Sequence, residues 1–431
     1  MKLRNLMYAT MIACAFASCS NDDVIPAPEQ GAEGTFLDIL IKDPVLTKAN
    51  PDESDIKTLT AVVFDASGKI EAIETANQGK GTNSRKVALT PGEKSVIMIA
   101  NYTLPQTVKV GDTYAALEAL TNTRIEEVDE KGFSMSSKVY KNITIETNKT
   151  TYLGYANEDG LGNSIYETED PDGVKLYRNV AKVVLKNVTL TNDKGDFQNM
   201  SNPNLEIEDV FILNAKATTK LVASDDDKSK YWAPTQSDDA TLLGGVAKDD
   251  SWNNADKFLL GSEWNVFDDL KANVKPTTIG FKGEGVFEST DAFQNAPFYV
   301  YENGSDALET KAAKTLLVIK GTVSYDGMVD GEQTRIEVPN RYYTIAVGRT
   351  GFDGGFVSPG KNFPYANRSA EGINGADANK AYDVLRNLQY EVSLIIKGLG
   401  YDQPGGGDPE QFLDVNVQVV PFGTVSQDVE I

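Results

Sequence analysis

The chain has 431 residues, with 41 Lys and Arg against 63 Asp and Glu, and it contains no histidine. The missing imidazole excludes Ser-His-Asp triads, Cys-His pairs, imidazole bases and histidine zinc sites. A formal charge of −22, spread as acidic residues among Gly, Ser and Thr, lacks the basic patches that nucleic acid requires and describes a soluble, self-repelling surface.

In chain order, residues 1–19 read "MKLRNLMYATMIACAFASC". Lys2 and Arg4 make a basic start, and the apolar run Leu6–Ala17 is too short to span a bilayer, which is the pattern of a secretory signal. Its small residues before Cys19 resemble a lipobox, so the expectation is an acylated Cys19 and a lipid anchor; an ordinary signal peptide with two cysteines is the alternative. The next residues, "SNDD", resemble the acidic export tag of surface lipoproteins in the Bacteroidota. Cys14 and Cys19 are the only cysteines. With one removed and the other acylated, no thiol remains for a disulfide, a metal or a nucleophile, and the exported part must hold together by packing. Its length of about 400 residues suits two or three domains, each able to bury a core.

Strand patterns dominate the chain from residue 56 onward. "IKTLTAVVFDASGKIEAIETA" (56–76) reads as a hairpin about an Asp-Ala-Ser-Gly turn, and "RKVALTPGEKSVIMIANY" (85–102) repeats the form around Pro91-Gly92. "VYKNITIETNKTTYLGYAN" adds two strands, while "TYAALEALTNTRIEEV" (113–128) carries apolar residues at near-helical spacing. These elements predict a sandwich of about seven short strands with one connecting helix. The polar loop "NEDGLGNSIYETEDPDG" marks the expected domain boundary, and after it a second group of strands opens at "LYRNVAKVVLKNVTL" (176–190). It continues at 204–215, 314–327, 334–348 and 389–400.

Candidates for chemistry are few. "SDDDKSK" (224–230) and "ETEDPDG" (167–173) could supply a glycosidase-like carboxylate pair but read as solvated loops. "DGMVDGEQ", from Asp326, lacks the ligand order and closing Glu of a calcium loop and predicts a hairpin turn. Trp232, Trp252 and Trp264 sit in Asp/Asn-rich sequence, where flat rings could stack on sugars or anchor long loops from below. No cofactor is implied, and nothing points to an enzyme.

The chain closes on "FLDVNVQVVPFGTVSQDVEI" (412–431), after the spacer "YDQPGGGDPEQ". Leu413, Val415, Val417 and Val419 alternate with Asp414, Asn416 and Gln418, the comb of a strand with one buried face. A Pro-Gly spacer normally frees the segment beyond it, so the comb raises the question of whose core it enters.

Taken together, the lipobox with its acidic tag, "IKTLTAVVFDASGKI", "GEKSVIMIAN", "YRNVAKVVL", "VLRNLQYEVSLIIKGLG" and the closing segment resemble the fimbrillins. These are lipoprotein precursors of type V pili in the Bacteroidota, and the similarity is nearest to the major subunit of the short fimbriae. The resemblance spans the chain as an ordered series of weak motifs, with little from 217–300. It implies an all-β protein of two transthyretin-like sandwiches: a signal at 1–19, a propeptide at 20–48, a first sandwich at 49–175 and a second at 176–431. A trypsin-like protease removes the first strand of such precursors at the cell surface, and the tail of the next subunit fills the groove left behind. The strand removed here would be "TFLDILIK" (35–42), with Leu37, Ile39 and Ile41 on one face. Its comb and that of the tail are interchangeable apolar patterns, which supports the swap independently. The family site follows an arginine, whereas this segment offers only Lys42 and Lys48, so cleavage between Lys48 and Ala49 is the expectation.

The partners implied are other copies of the chain, accessory fimbrial subunits, the outer membrane through the anchor, and host or bacterial surface ligands. Burying four aliphatic side chains of the tail at ~1.5–3 kcal/mol each gives roughly 6–12 kcal/mol gross, enough for a long-lived joint. The uncut chain should keep the tail mobile or loosely docked, because the first strand still fills the groove. A surface glycan-binding lipoprotein or a tip adhesin is the alternative; a glycan-binding monomer would be marked by a tail paired within its own chain, a carboxylate hydrolase by two acids converging in a cleft.

Overall fold

The computed structural model describes residues 35–40, 45–47, 53, 55–77, 84–123, 132–148, 174–222, 242–243, 270–283, 286–303, 315–347, 384, 386–404, 412–421 and 424–427. Nearly every element is a strand, as the alternating patterns predict. The first group comprises β1 (Phe36–Leu40), β2 (Val45–Thr47), β3 (Thr58–Phe64), β4 (Ile70–Asn77), β5 (Ser84–Ala88), β6 (Gly92–Ala100), the single-turn α1 (Ala115–Glu118), β7 (Thr121–Thr123), β8 (Met135–Ser136), β9 (Tyr140–Ile145) and β10 (Val174–Arg178). The second opens with β11 (Val180–Leu190), β12 (Ser201–Leu213), β13 (Ala215–Lys216), β14 (Thr218–Lys220), β15 (Leu242–Leu243), β16 (Thr277–Ile279), β17 (Phe281–Gly283), β18 (Val286–Phe287), β19 (Ser289–Thr290) and β20 (Phe298–Tyr301). It ends with β21 (Leu316–Val329), β22 (Glu332–Ala346), β23 (Leu388–Ile396), β24 (Leu413–Pro421) and β25 (Thr424–Gln427).

In the first group the main sheet runs β2-β25-β10-β8-β6-β3-β4, with β9 also on β6. The unbroken apolar run of β3 has a reason: the sheet is buried on both faces. Leu59, Ala61 and Val63 enter one core with Val96, Met98 and Tyr140, while Val62 and Phe64 enter another with Ile97, Ile99 and Leu117. The predicted β3–β4 hairpin is present, and its turn is held by Asp65, whose carboxylate accepts from the Ser67 amide at 2.8 Å and the Lys69 amide at 3.1 Å.

Two expectations here need correction. Residues 85–102 do form two strands about Pro91-Gly92, but not a hairpin: β5 pairs with β1, and β6 pairs with β3, β8 and β9. Leu89 is buried and carries the chain from one sheet to the other, with Gly92 at φ 128° making the corner. Within the predicted helix over 113–128, Ala115–Glu118 forms α1, but Thr121–Thr123 extends as β7 and pairs with β14, and residues 124–128 lie outside the described residues. Thr and Asn are poor helix formers, and a cross-strand partner decides the matter. The second strand expected beyond β9 lies outside the described residues.

The second group is a sandwich of two sheets, β19-β11-β23-β24 with β20 on β11, and β16-β12-β21-β22. Alternate residues of β11 (Val183, Leu185), β23 (Tyr390, Val392, Leu394), β12 (Leu205, Ile207) and β21 (Leu317, Ile319) meet in one core. The predicted turn in "DGMVDGEQ" joins β21 to β22, with Asp330 at φ 51° and Gly331 at φ 86°, the left-handed pair that a two-residue hairpin demands.

Candidate assembly site: the chain ends and the junction

The chain passes from the first sheet to the second at Asn179. β10 pairs with β8 while β11 pairs with β23, so residues 176–178, which the sequence pattern assigns to the second group, belong to the first sheet. At this crossing the dipeptide Arg-Asn occurs twice, as Arg178-Asn179 before β11 and Arg386-Asn387 before β23. The two strands run parallel, which brings the dipeptides side by side. Each arginine bonds the other's asparagine: Arg178 donates to Asn387 Oδ1 at 3.4 Å, and Arg386 to Asn179 Oδ1 at 3.0 Å. Arg386 also grips Glu302 with two donors, at 2.5 and 2.6 Å, and reaches the Lys220 carbonyl at 2.9 Å. All four side chains of the paired dipeptides are buried, as is Glu302.

Glu53 is a further member of the junction. Its carbonyl accepts from Arg178 Nε at 2.7 Å, and its carboxylate from Lys182 Nζ and Tyr299 Oη, each at 2.6 Å. Burial pushes the Arg178 guanidinium down to about 10, with Glu53 and Tyr299 pulling it back up, so the group remains charged at neutral pH. The sequence patterns singled out none of Glu53, Arg178, Glu302 or Arg386. The repeated Arg-Asn before two apolar strands was the signal available.

The two chain ends are built differently from this junction. Among the described residues β1 has a single strand partner, β5, with Leu37 opposite Val87 and Ile39 opposite Arg85. Thr35 is fixed at its start, its carbonyl accepting from Leu89 N at 3.3 Å. β24 lies at the edge of the second sandwich, with β23 as its one partner among the described residues. Leu413, Val415, Val417 and Val419 stand opposite the buried Ile396, Leu394, Val392 and Tyr390. The expectation of a mobile or loosely docked tail is therefore corrected: β24 pairs along its full length within its own chain. The register explains this, since the comb meets the one open edge of an apolar strand, and an uncovered edge of that kind invites pairing.

The base of the tail is fastened too. The Phe412 carbonyl accepts from Lys397 N at 2.8 Å, its ring meets Tyr401 edge-on at 4.8 Å, and Leu413 is in the core. A Cβ at Gly398 would come within 2.7 Å of the Phe412 ring, so the close approach requires glycine. Beyond β24 the chain crosses to the first group, where β25 pairs with both β10 and β2.

Cys19, Ile41, Lys48 and Ala49 lie outside the described residues, as do Trp232, Trp252, Trp264 and both acidic stretches read as loops. Asp326, in the hairpin read from "DGMVDGEQ", is engaged by Asn202 at 2.6 Å and Arg335 at 3.0 Å. Those two hydrogen bonds hold its carboxyl below the usual range.

Residues 46–178 match the family model described as "Major fimbrial subunit protein (FimA)", a span from β2 to the last residue of β10. Among solved structures, a candidate cell adhesion protein of Parabacteroides distasonis is 25% identical, with 90% of this chain and 98% of its own covered and a TM-score of 0.59. A fimbrilin of Porphyromonas gingivalis is 20% identical, with 91% and 99% covered and a TM-score of 0.57. No curated protein sequence matches the chain. The fold is thus that of a fimbrilin, and the resemblance drawn from the sequence motifs stands.

Proposed function

We propose that the protein is a structural pilin subunit of a surface fimbria that polymerises by donor-strand exchange. The observation that carries this reading is that β1 and β24 are each held by one partner strand among the described residues, β1 by β5 and β24 by β23. β1 and β5 form a two-stranded sheet among the described residues, so removing β1 would cut that ladder alone and leave β5 free to take an incoming strand, and β24 could leave β23 with the loss of one ladder. Both carry apolar combs of one kind, Leu37/Ile39/Ile41 and Leu413/Val415/Val417/Val419, so the tail of one copy suits the groove of the next. The proposed precursor is acylated at Cys19, sits on the outer membrane, and is cut between Lys48 and Ala49. The fimbria formed would hold further copies of the chain and accessory subunits.

The own-chain docking of β24 is the observation that favours the second reading, a monomeric surface lipoprotein that binds glycans. A docked tail is also what a pilin precursor needs, because an amphipathic strand left loose would pair at random. Lysine-specific cleavage of purified precursor separates the two. Detergent-stable ladders, with assembled chains starting at Ala49, support the pilin, while a chain that is cut and stays monomeric overturns it. Metabolic labelling with fatty acid should mark the precursor and miss Cys19→Ala.

A further inference from the structure

The end of the tail is not an edge. β25 is a middle strand, with Val174, Lys175 and Leu176 of β10 opposite Gln427, Ser426 and Val425, and with Val45, Leu46 and Thr47 of β2 opposite Ser426, Val425 and Thr424. A middle strand must lose two ladders to leave a sheet, whereas an edge strand loses one. Among the described residues the outer ladder of β25 is supplied by residues 45–47, which end one position before Lys48.

We propose that β2 is a latch on the tail: in the uncut chain it encloses β25, and the cut that removes β1 also removes β2 and turns β25 into an edge strand ready to leave. This rests on the donor-tail reading above and adds its regulation. One proteolytic event would then arm both functions of a subunit, opening the acceptor groove at β5 and releasing the donor. An uncut subunit is closed at both ends. Glu53 completes the device, since its bonds to Arg178, Lys182 and Tyr299 hold the chain just past Lys48 in the junction while the segment before it departs.

The test is hydrogen exchange on the full-length precursor. The double substitution Val45→Pro with Leu46→Pro removes two consecutive amide donors, and because successive amides of a strand point to opposite sides, one of them faces β25. Exchange at 424–427 should rise roughly tenfold or more, as expected when one of two ladders is lost, while 84–88 and 58–64 keep their protection. The control, Leu37→Pro with Asp38→Pro, should raise exchange at 84–88 and leave 424–427 unchanged. Unchanged protection at 424–427 in the first variant overturns the latch. Cutting the wild-type chain distinguishes the two ideas: polymers without any loosening of 424–427 leave the donor tail standing and remove the latch. A loosened tail in a cut chain that never polymerises keeps the latch and removes the donor reading.

Discussion

The junction between the sandwiches and the ends of the chain use opposite means of attachment. At the junction, residues from five separate segments converge on two arginines that are almost wholly buried, so no member can leave without stranding a charge. At the ends, β1 and β24 are each held by one ladder among the described residues, β1 by β5 and β24 by β23, so under the proposed function either could leave and a strand of like pattern replace it. In the fimbria proposed above, the first kind of attachment would serve inside a subunit and the second between subunits.

The contrast breaks most directly at Glu302. Truncating it to Ala leaves the Arg386 guanidinium buried without its carboxylate, which should cost about 3–5 kcal/mol of unfolding free energy in a denaturant titration. The paired change Glu302→Leu with Arg386→Met should recover part of that loss, since apolar groups replace the buried charges but leave Asn179 Oδ1 and the Lys220 carbonyl without their donor. A single substitution as harmless as the double one would mean that the junction is not the permanent element.

At the tail the effect is smaller and should separate stability from assembly. Val417 stands opposite the fully buried Val392, and Val417→Asp should lower stability by about 2–3 kcal/mol and abolish polymers. Asn416, opposite the half-buried Ser393, should accept Asp within about 0.5 kcal/mol and still polymerise. Deleting residues 414–431 should lower the melting temperature and leave both sandwiches folded, because the core between β11, β23, β12 and β21 keeps its residues. If the deletion unfolds the chain, the tail belongs permanently to its own sandwich.

Much of this was legible in the sequence. The combs of β1 and β24, the Asp-Ala-Ser-Gly and Asp-Gly turns and the five long strands of the second group arise from period-two patterning and turn chemistry, which are local. What was not legible is non-local. Pro91-Gly92 looks like a hairpin because the same residues serve a corner between sheets, and only the partners of β5 and β6 tell them apart. Residues 121–123 look helical until β14 supplies a partner. Sequence alone also left the tail without an owner: its comb fits any apolar edge, and the open edge of β23 in the same chain is the nearest. The Arg-Asn clasp depends on two strands separated by about two hundred residues lying parallel, a fact of topology that no window contains.

Glu53 sharpens the boundary between what stays and what leaves. Glu53→Gln keeps the size of the side chain but gives up the charge that Lys182 and Tyr299 share, and should cost about 1–2 kcal/mol. Hydrogen exchange in the variant should rise near 178–182 and 299, with 388–396 unaffected. An effect spread over both sandwiches would show that Glu53 is part of the general core and not a pin on the start of the cut chain.

The smallest expected effect tests the second sandwich alone, at Tyr343. Its hydroxyl donates to the Gly398 carbonyl at 2.8 Å, and complete burial pushes its ionisation far above the ordinary value of 10.0. The folded pKa is raised, so this contribution is fully present below pH 10 and is lost as pH rises, because the unfolded chain releases the proton and the folded one keeps it. Stability should fall by about 1.4 kcal/mol for this group by about pH 11. Arg178 acts in the opposite sense over a similar window, since its pKa is lowered by burial, and the other tyrosines and the lysines titrate there too. The informative quantity is therefore the difference between wild type and Tyr343→Phe. At neutral pH the variant should lose about 1 kcal/mol, the worth of the bond to Gly398. Above pH 10 that deficit should shrink and then reverse, because phenylalanine has no proton to hold. A constant difference across this range would mean that the hydroxyl reaches water, and that the segment 398–400 between β23 and the tail is open when the chain is folded.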